Sequence, residues 1–296
     1  MRIRLWGVRG SIPTPSTADF VTSRYGGNTS CLSVRVPGLI VILDAGSGLR
    51  SLGLELAKEM PVHATFFFSH VHWDHIQGFP FFIPAFVPGN TFDMYGPNLN
   101  RQPGFVGSVL ERALRNQQES LNFPVQLSEM PSKMTFTDLE DSGRVELQGS
   151  GSKLVVTAAA MNHPGGCFGY RVEEHCEGKP LHRAFAYATD TEHLAKNNPK
   201  LQKLSRDADL LFYDAQYTDD EYNGTKGMPR KGWGHSTASR GIAEAAEAGV
   251  KHLYLTHHDP LHDDWEVARI ENEARREGMK VGLQVSAAYE GLEIEL

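Results

Sequence analysis

Between Ser69 and His75 the chain reads Ser-His-Val-His-Trp-Asp-His, directly after the apolar run Ala64–Phe68. Backbone propensity does not ask for this, because histidine is a middling former of both helices and strands. A solvated polar turn is the bland account. The density of imidazole and carboxylate favours a metal site, since these are the ligands that suit zinc and its borderline neighbours. Three further positions carry the same ligand types. His163 precedes Pro164-Gly165-Gly166 shortly after the strand-like run Leu154–Ala158, where it is either a ligand or a turn residue. Asp190 follows Ala184–Ala188 as either a ligand or a turn cap. His257 and His258 follow Lys251–Leu255, and because neighbouring side chains diverge in extended backbone, one of the two at most reaches an ion.

The elements that must hold these residues are short and mixed. Strand-like runs, rich in β-branched and aromatic residues and bounded by Gly, Pro, Asp or Asn, fall at Ile3–Trp6, Cys31–Val36, Leu39–Leu43, Ala64–Phe68 and Leu154–Ala158. Others fall at Phe168–Val172, Ala184–Ala188, Leu210–Tyr213, Lys251–Leu255 and Val281–Gln284. Helical spacing appears over Phe105–Ser120, Leu194–Arg206, Ser236–Ala248 (with Ser236 or Thr237 as N-cap) and Asp263–Glu277. Two sheets packed face to face with helices outside accommodate this pattern. The stretch from Pro97 to Ser142 is the least regular and reads as an inserted flap, around 97–142, or as a helix plus loop over one end of the sheets, on a single domain spanning 1–296.

Composition narrows the classes. With 296 residues, 40% hydrophobic and 22% charged, the chain can bury a large core. No apolar run approaches the roughly 20 residues of a membrane-spanning helix, and the start alternates like a strand, so no membrane partner and a cytoplasmic location are expected. Cys31, Cys167 and Cys176 show no Cys-x-x-Cys spacing, which argues against a disulfide framework. A net charge of −7 argues against a large nucleic-acid surface.

Together the heptad, His163, Asp190 and the Thr256-His257 pair resemble the metallo-β-lactamase superfamily, in order and spacing, from Asp44-Ala45-Gly46-Ser47-Gly48 to Pro260. The resemblance implies an α+β, four-layer αβ/βα sandwich with two divalent metal ions at one edge. It implies that His70, His72 and His163 hold one ion, that Asp74, His75 and His257 hold the other, and that Asp190 bridges them. Asp44 resembles the acid that orients a ligand histidine. Zinc suits this nitrogen- and oxygen-rich set, with Mn2+ or Fe as substitutes.

That superfamily hydrolyses lactams, thioesters, lactones and phosphodiesters, and one branch reduces oxygen at iron; the last carries Glu where this chain has His72. Gly234-His235-Ser236-Thr237 resembles the motif of ribonuclease Z and its phosphodiesterase relatives, as does Tyr95-Gly96-Pro97. The resemblance implies that His235 gives a proton to the leaving oxygen while Asp214 orients it, and Asp74 joins them among the catalytic residues. A histidine in a Gly-rich turn and a strand-end Asp are otherwise ordinary caps. Trp6–Pro13 and Tyr25–Cys31 resemble smaller phosphodiesterases acting on cyclic nucleotides. The expectation is therefore a small phosphodiester, best matched by a cyclic nucleotide, with nucleic acid disfavoured and a homodimer implied by the relatives. The alternatives are a ribonuclease Z-like endonuclease, a lactone or thioester hydrolase, and a non-enzymatic metal-stabilised module. Arg9, Asn28, Lys226 and Arg230 are the expected substrate contacts, the last two in the basic stretch before His235.

Overall fold

The computed structural model describes residues 1–98, 106–176, 178, 182–193, 195–225 and 227–296. Among them two seven-stranded sheets form the centre of the molecule. The first contains β1 (Arg2–Gly7), β2 (Cys31–Val36), β3 (Leu39–Leu43), β4 (His63–Phe67), β5 (Thr91–Pro97), β6 (Lys133–Leu139) and, at its other edge, β14 (Glu293–Glu295). Their spatial order is β14-β1-β2-β3-β4-β5-β6. The second contains β7 (Arg144–Gln148), β8 (Ser152–Met161), β9 (Cys167–Cys176), β10 (His182–Ala188), β11 (Leu210–Asp214), β12 (His252–Thr256) and β13 (Gln284–Ala287). They lie in the order β13-β12-β11-β10-β9-β8-β7.

Helices cover both outer faces: α1 (Leu49–Leu56) and α3 (Val109–Gln117) on the first sheet, α4 (Pro199–Ser205), α6 (Ala238–Glu247) and α7 (Asp264–Lys280) on the second. Two shorter helices, α2 (Trp73–Ile76) and α5 (Asp219–Asn223), lie in connections. Three apolar layers result. Phe67, Val34, Tyr170 and Phe212 pack between the sheets. Phe66, Phe68, Leu52 and Leu110 pack between the first sheet and its helices, and Leu211, Ile242 and Leu253 between the second and its own. The consecutive phenylalanines of β4 show the cause: a strand buried on both faces sends alternate side chains into different cores. This is the four-layer αβ/βα sandwich.

The site depends on strand direction. β3 and β4 are parallel, as are β10, β11 and β12, and β8 runs with β10 because each is antiparallel to β9. Their carboxyl ends all emerge at one edge. There the two sheets meet, the Phe168 amide donating to the Ser69 carbonyl at 2.8 Å.

Two expectations bear on the sheet edges. Within 97–142 the described residues supply α3, whose Leu110 and Leu114 are buried, and β6, paired in parallel with β5. Its acids are engaged locally, Asp138 accepting from Ser108 Oγ at 2.6 Å and Glu111 pairing with Arg115 at 2.7 Å. The last expected strand, Val281–Gln284, begins three residues later because α7 runs on to Lys280 before the turn at Gly282.

Candidate metal centre

Apart from His235, the ligand-type residues gathered at the edge lie at or just after strand ends. Asp44 follows β3, His70, His72, Asp74 and His75 follow β4, His163 follows β8, Asp190 follows β10, Asp214 ends β11 and His257 follows β12. The donor atoms of His70, His72 and His163 lie within 4.8 Å of one another, as do those of Asp74, His75 and His257, and of His70, His75 and Asp190. Asp190 lies between the groups: Oδ1 is 3.9 Å from His70 Nε2 and from His163 Nε2 and 3.3 Å from His257 Nε2, while Oδ2 is 3.1 Å from His75 Nε2.

Outer partners fix which nitrogen of each ring faces inward. His75 Nδ1 lies 2.8 Å from Asp44 Oδ2, His163 Nδ1 2.9 Å from the Gly234 carbonyl, and His257 Nδ1 2.9 Å from Gln216 Oε1. Each partner is an acceptor, so each Nδ1 carries the proton and each Nε2 presents a lone pair. Yet His75 Nε2 and His257 Nε2 stand only 3.4 Å apart, and His163 Nε2 is 3.1 Å from His72 Nδ1. Lone pairs brought together in this way need a cation. The buried Nε2 of His70 and Oδ2 of Asp190 have no hydrogen-bond partner, which fits the same requirement. The residues therefore suit divalent metal binding.

The carboxylates draw positive charge to the centre, in competition with burial. Burial, aided by the charge of His75, holds His70 well below the usual histidine range, and burial lowers His72 and His163. For His75 burial opposes the charged form, but Asp190, Asp74 and Asp44 outweigh it and raise His75 well above its ordinary value. His257, against the same burial, is raised to about 9 by Asp190 and Asp74. Asp190 is held low by His257 and His75, and Asp74 by His75 and His257, each against the penalty of burial. Buried carboxylates here call for positive charge, which a metal ion supplies.

The local backbone is shaped to this end. Asp44 and His257 both adopt left-handed φ, 60° and 61°. A side chain on Gly10 would strike the His257 ring, and one on Gly234 the His163 ring, so both positions require glycine. His258 points elsewhere: its ring is buried, 2.9 Å from the Ala288 carbonyl, with its pKa lowered to about 3 by burial and then by Arg9.

His235 stands at the rim. Its ring stacks on His257 at 4.9 Å, and Nδ1 lies 2.8 Å from Asp214 Oδ2. Asp214 is fully buried and also accepts from the amides of Thr191, Gln216 and Ser236. Thr237 caps α6, accepting from the Arg240 amide, and so fixes the turn in which His235 precedes the helix. Glu192 holds the loop from the other side, accepting from the Gly232 and Gly234 amides at 2.7 and 3.0 Å and from the Tyr222 hydroxyl at 2.8 Å. Sequence reasoning missed Glu192 and Gln216, because contacts with distant loops leave no local pattern. The sequence neighbour of Asp190 at 192 was the available signal for the first.

The expected substrate contacts fare differently. Arg9 does not face a substrate. It is fully buried, with Nε donating to the Gly26 carbonyl at 2.9 Å and Nη1 to those of Asp259 and His262 at 2.9 and 2.6 Å. A buried guanidinium needs acceptors, and these backbone carbonyls hold it as a brace for the His257 loop. Asn28 is likewise occupied, its amide nitrogen donating to Glu290 Oε2 at 3.0 Å and its Oδ1 accepting from Ser47 Oγ at 2.9 Å. Arg230 lines the cleft beside His235, but Nη1 is already paired with Asp259 Oδ2 at 2.7 Å. Lys226 lies outside the described residues. No helix of the described residues is long and apolar enough to cross a membrane.

A profile of the beta-lactamase superfamily domain matches residues 40–258. Ribonuclease Z of Acaryochloris marina is 24% identical over 309 residues, covering 88% of this chain and 86% of its own. Among solved structures, the metallo-beta-lactamase fold protein YhfI from Bacillus subtilis has a TM-score of 0.66 at 19% identity, covering 100% of this chain and 98% of that one. Human tRNase Z, short form, has a TM-score of 0.63 at 20% identity, covering 100% and 99%. The expectation that disfavoured nucleic acid is overturned by relatives that are themselves ribonucleases. Its physical basis was weak: net charge sums over the whole surface, whereas a bound phosphate feels charges within about 10 Å at 0.1 M salt.

Proposed function

The chain belongs to the beta-lactamase superfamily, with relatives in its ribonuclease Z-like branch, and from that premise we propose that it is a dinuclear-metal phosphodiesterase acting on RNA. It is a metal-dependent hydrolase; the ligand assignment, the number and identity of the ions and the substrate belong to this reading. His70, His72 and His163 would hold one ion, Asp74, His75 and His257 the other, with Asp190 available to both, and zinc is the metal best suited to the set. When loaded, the centre supplies Lewis-acid stabilisation and an activated water for in-line displacement at phosphorus.

The chain's own residues do the rest. Asp214 keeps the Nδ1 proton of His235 engaged, so Nε2 is the nitrogen that exchanges a proton with the substrate. As the bond from phosphorus to the leaving oxygen breaks, protonated Nε2 gives that oxygen its proton. Asp44 and Gln216 keep His75 and His257 in the ligating tautomer, and buried Arg9 braces the loop behind His257. The observation that carries the reading is the His235–Asp214 pair beside the seven-donor cluster. A nucleophilic serine or cysteine is not required, and Cys31 and Cys167 are buried with thiol pKa values pushed up by burial.

A cyclic nucleotide is the second reading, favoured by the cleft of about 610 Å3 beside His235. Metal-reconstituted protein assayed on a transfer RNA precursor, single-stranded RNA, several cyclic nucleotides and a lactone or thioester separates the readings. RNA cleavage whose affinity falls steeply with salt, as contact with several phosphates demands, is expected. Turnover of cyclic nucleotides without RNA cleavage selects the second reading, and preference for the lactone or thioester defeats both.

A further inference from the structure

The cleft beside His235 has two unlike ends. At the inner end Ser11 meets the donor cluster, its amide donating to Asp74 Oδ2 at 2.7 Å. At the outer end stand three large apolar side chains exposed to solvent: Trp233 at 50%, Met228 at 70% and Leu261 at 70%. Exposed apolar residues scattered singly over a surface need no explanation, but three lining one cavity, one of them an indole, do. Between the ends lies Arg230. Its guanidinium sits 4.7 Å from the centre of the Tyr217 ring and 5.8 Å from that of Trp233, with its charge met by Asp259. It acts as a fixed plate that steadies the aromatic wall, and its pairing makes it a poor phosphate hand.

We infer that this cavity is a nucleoside subsite, in which Trp233 stacks on the base attached to the scissile phosphate while Met228 and Leu261 cover the base's edge. The inference rests on the phosphodiesterase reading and extends it by stating what the phosphate carries. A volume of about 610 Å3 lies in the usual range for small-molecule sites. Stacking is available to every base because every base has a π-face, so the subsite selects nucleotides over base-free phosphate esters and tolerates any base. It serves an RNA chain and a cyclic nucleotide alike.

The test uses metal-loaded protein and compares adenosine 5′-monophosphate with ribose 5-phosphate as inhibitors of bis(p-nitrophenyl) phosphate hydrolysis. Wild type should bind the nucleotide about 5- to 100-fold more tightly than the sugar phosphate. Trp233→Ala should bring that ratio close to one, and Trp233→Phe should keep most of it. Because the ratio is taken within one protein, a general loss of activity cancels. No preference in wild type, or a preference that survives in Trp233→Ala, overturns the subsite. Failure of the phosphodiesterase reading shows separately, as absent turnover of bis(p-nitrophenyl) phosphate. Calorimetric titration of the same two compounds into the same metal-loaded proteins then supplies the deciding ratio.

Discussion

Nδ1 of His235 lies 2.8 Å from Oδ2 of Asp214, so the imidazole turns its other nitrogen, Nε2, away from the carboxylate. Under the proton-donor role, His235→Ala lowers phosphodiester turnover by about 10²–10⁴-fold on a poor leaving group. An activated nitrophenyl ester, whose leaving group scarcely needs a proton, loses far less. Steady-state kinetics on the two ester classes, with metal content checked by elemental analysis, reads this out. Equal losses on both would remove His235 from proton transfer.

Asp190 approaches both halves of the donor cluster, 3.1 Å from His75 Nε2 and 3.9 Å from His163 Nε2. Asp190→Ala is therefore expected to reduce occupancy of both ions, whereas His72→Ala affects mainly one. Elemental analysis after mild dialysis measures metal per chain. Two ions retained in Asp190→Ala would refute the bridging role, and no stoichiometric metal in wild type would refute the whole centre.

His257 and His258 are adjacent in sequence but reach different surroundings, His257 facing Asp74 and Asp190 and His258 the Ala288 carbonyl. His257→Ala should lose one ion per chain. His258→Ala should keep both ions and show its cost as lower thermal stability, through a buried cavity and an unpaired carbonyl. Metal loss from His258→Ala with both ions kept in His257→Ala would reverse the assignment.

Burial, with Arg275 adding to it, lowers His252 from 6.5 to about 4. Below pH 6.5 the unfolded chain takes up a proton that the folded chain refuses, so this contribution is complete above pH 6.5 and fades as pH falls towards 4. The imidazole is only partly buried, so solvent screening limits the effect to on the order of 1 kcal/mol. Urea unfolding of wild type and His252→Gln between pH 7 and 4 should show a shallower pH slope in the variant. Identical slopes would show that His252 titrates normally in the folded state.

Local sequence carried the strands and the ligand types for a simple reason. Strands buried on both faces, such as those ending at Phe67, Ala188, Asp214 and Thr256, are continuous apolar runs, and a polar ligand at each end breaks the pattern sharply. The edge strands β6 and β7 alternate half-buried and exposed positions with polar residues between, and so faint a signal left both out of the strands expected from sequence. The resemblance reached further than local pattern, because the order of His70, His72, Asp74, His75, His163, Asp190 and His257 along the chain is written in one dimension.

Only the tertiary structure decided which polar residues face the centre and which serve the frame. Arg9 and Asn28 look like substrate contacts in a Gly-rich sequence, yet packing turns Arg9 into the interior and hands Asn28 to Glu290 and Ser47. Arg230 reads as a free cation until Asp259, far along the chain, is folded against it. The tautomers of His75, His163 and His257 likewise depend on Asp44, Gly234 and Gln216, partners 31, 71 and 41 residues away. A side chain's type fixes what it can bind. Whether that capacity is left for a ligand or consumed by the protein depends on contacts between distant segments, which exist only once the two sheets have closed on each other.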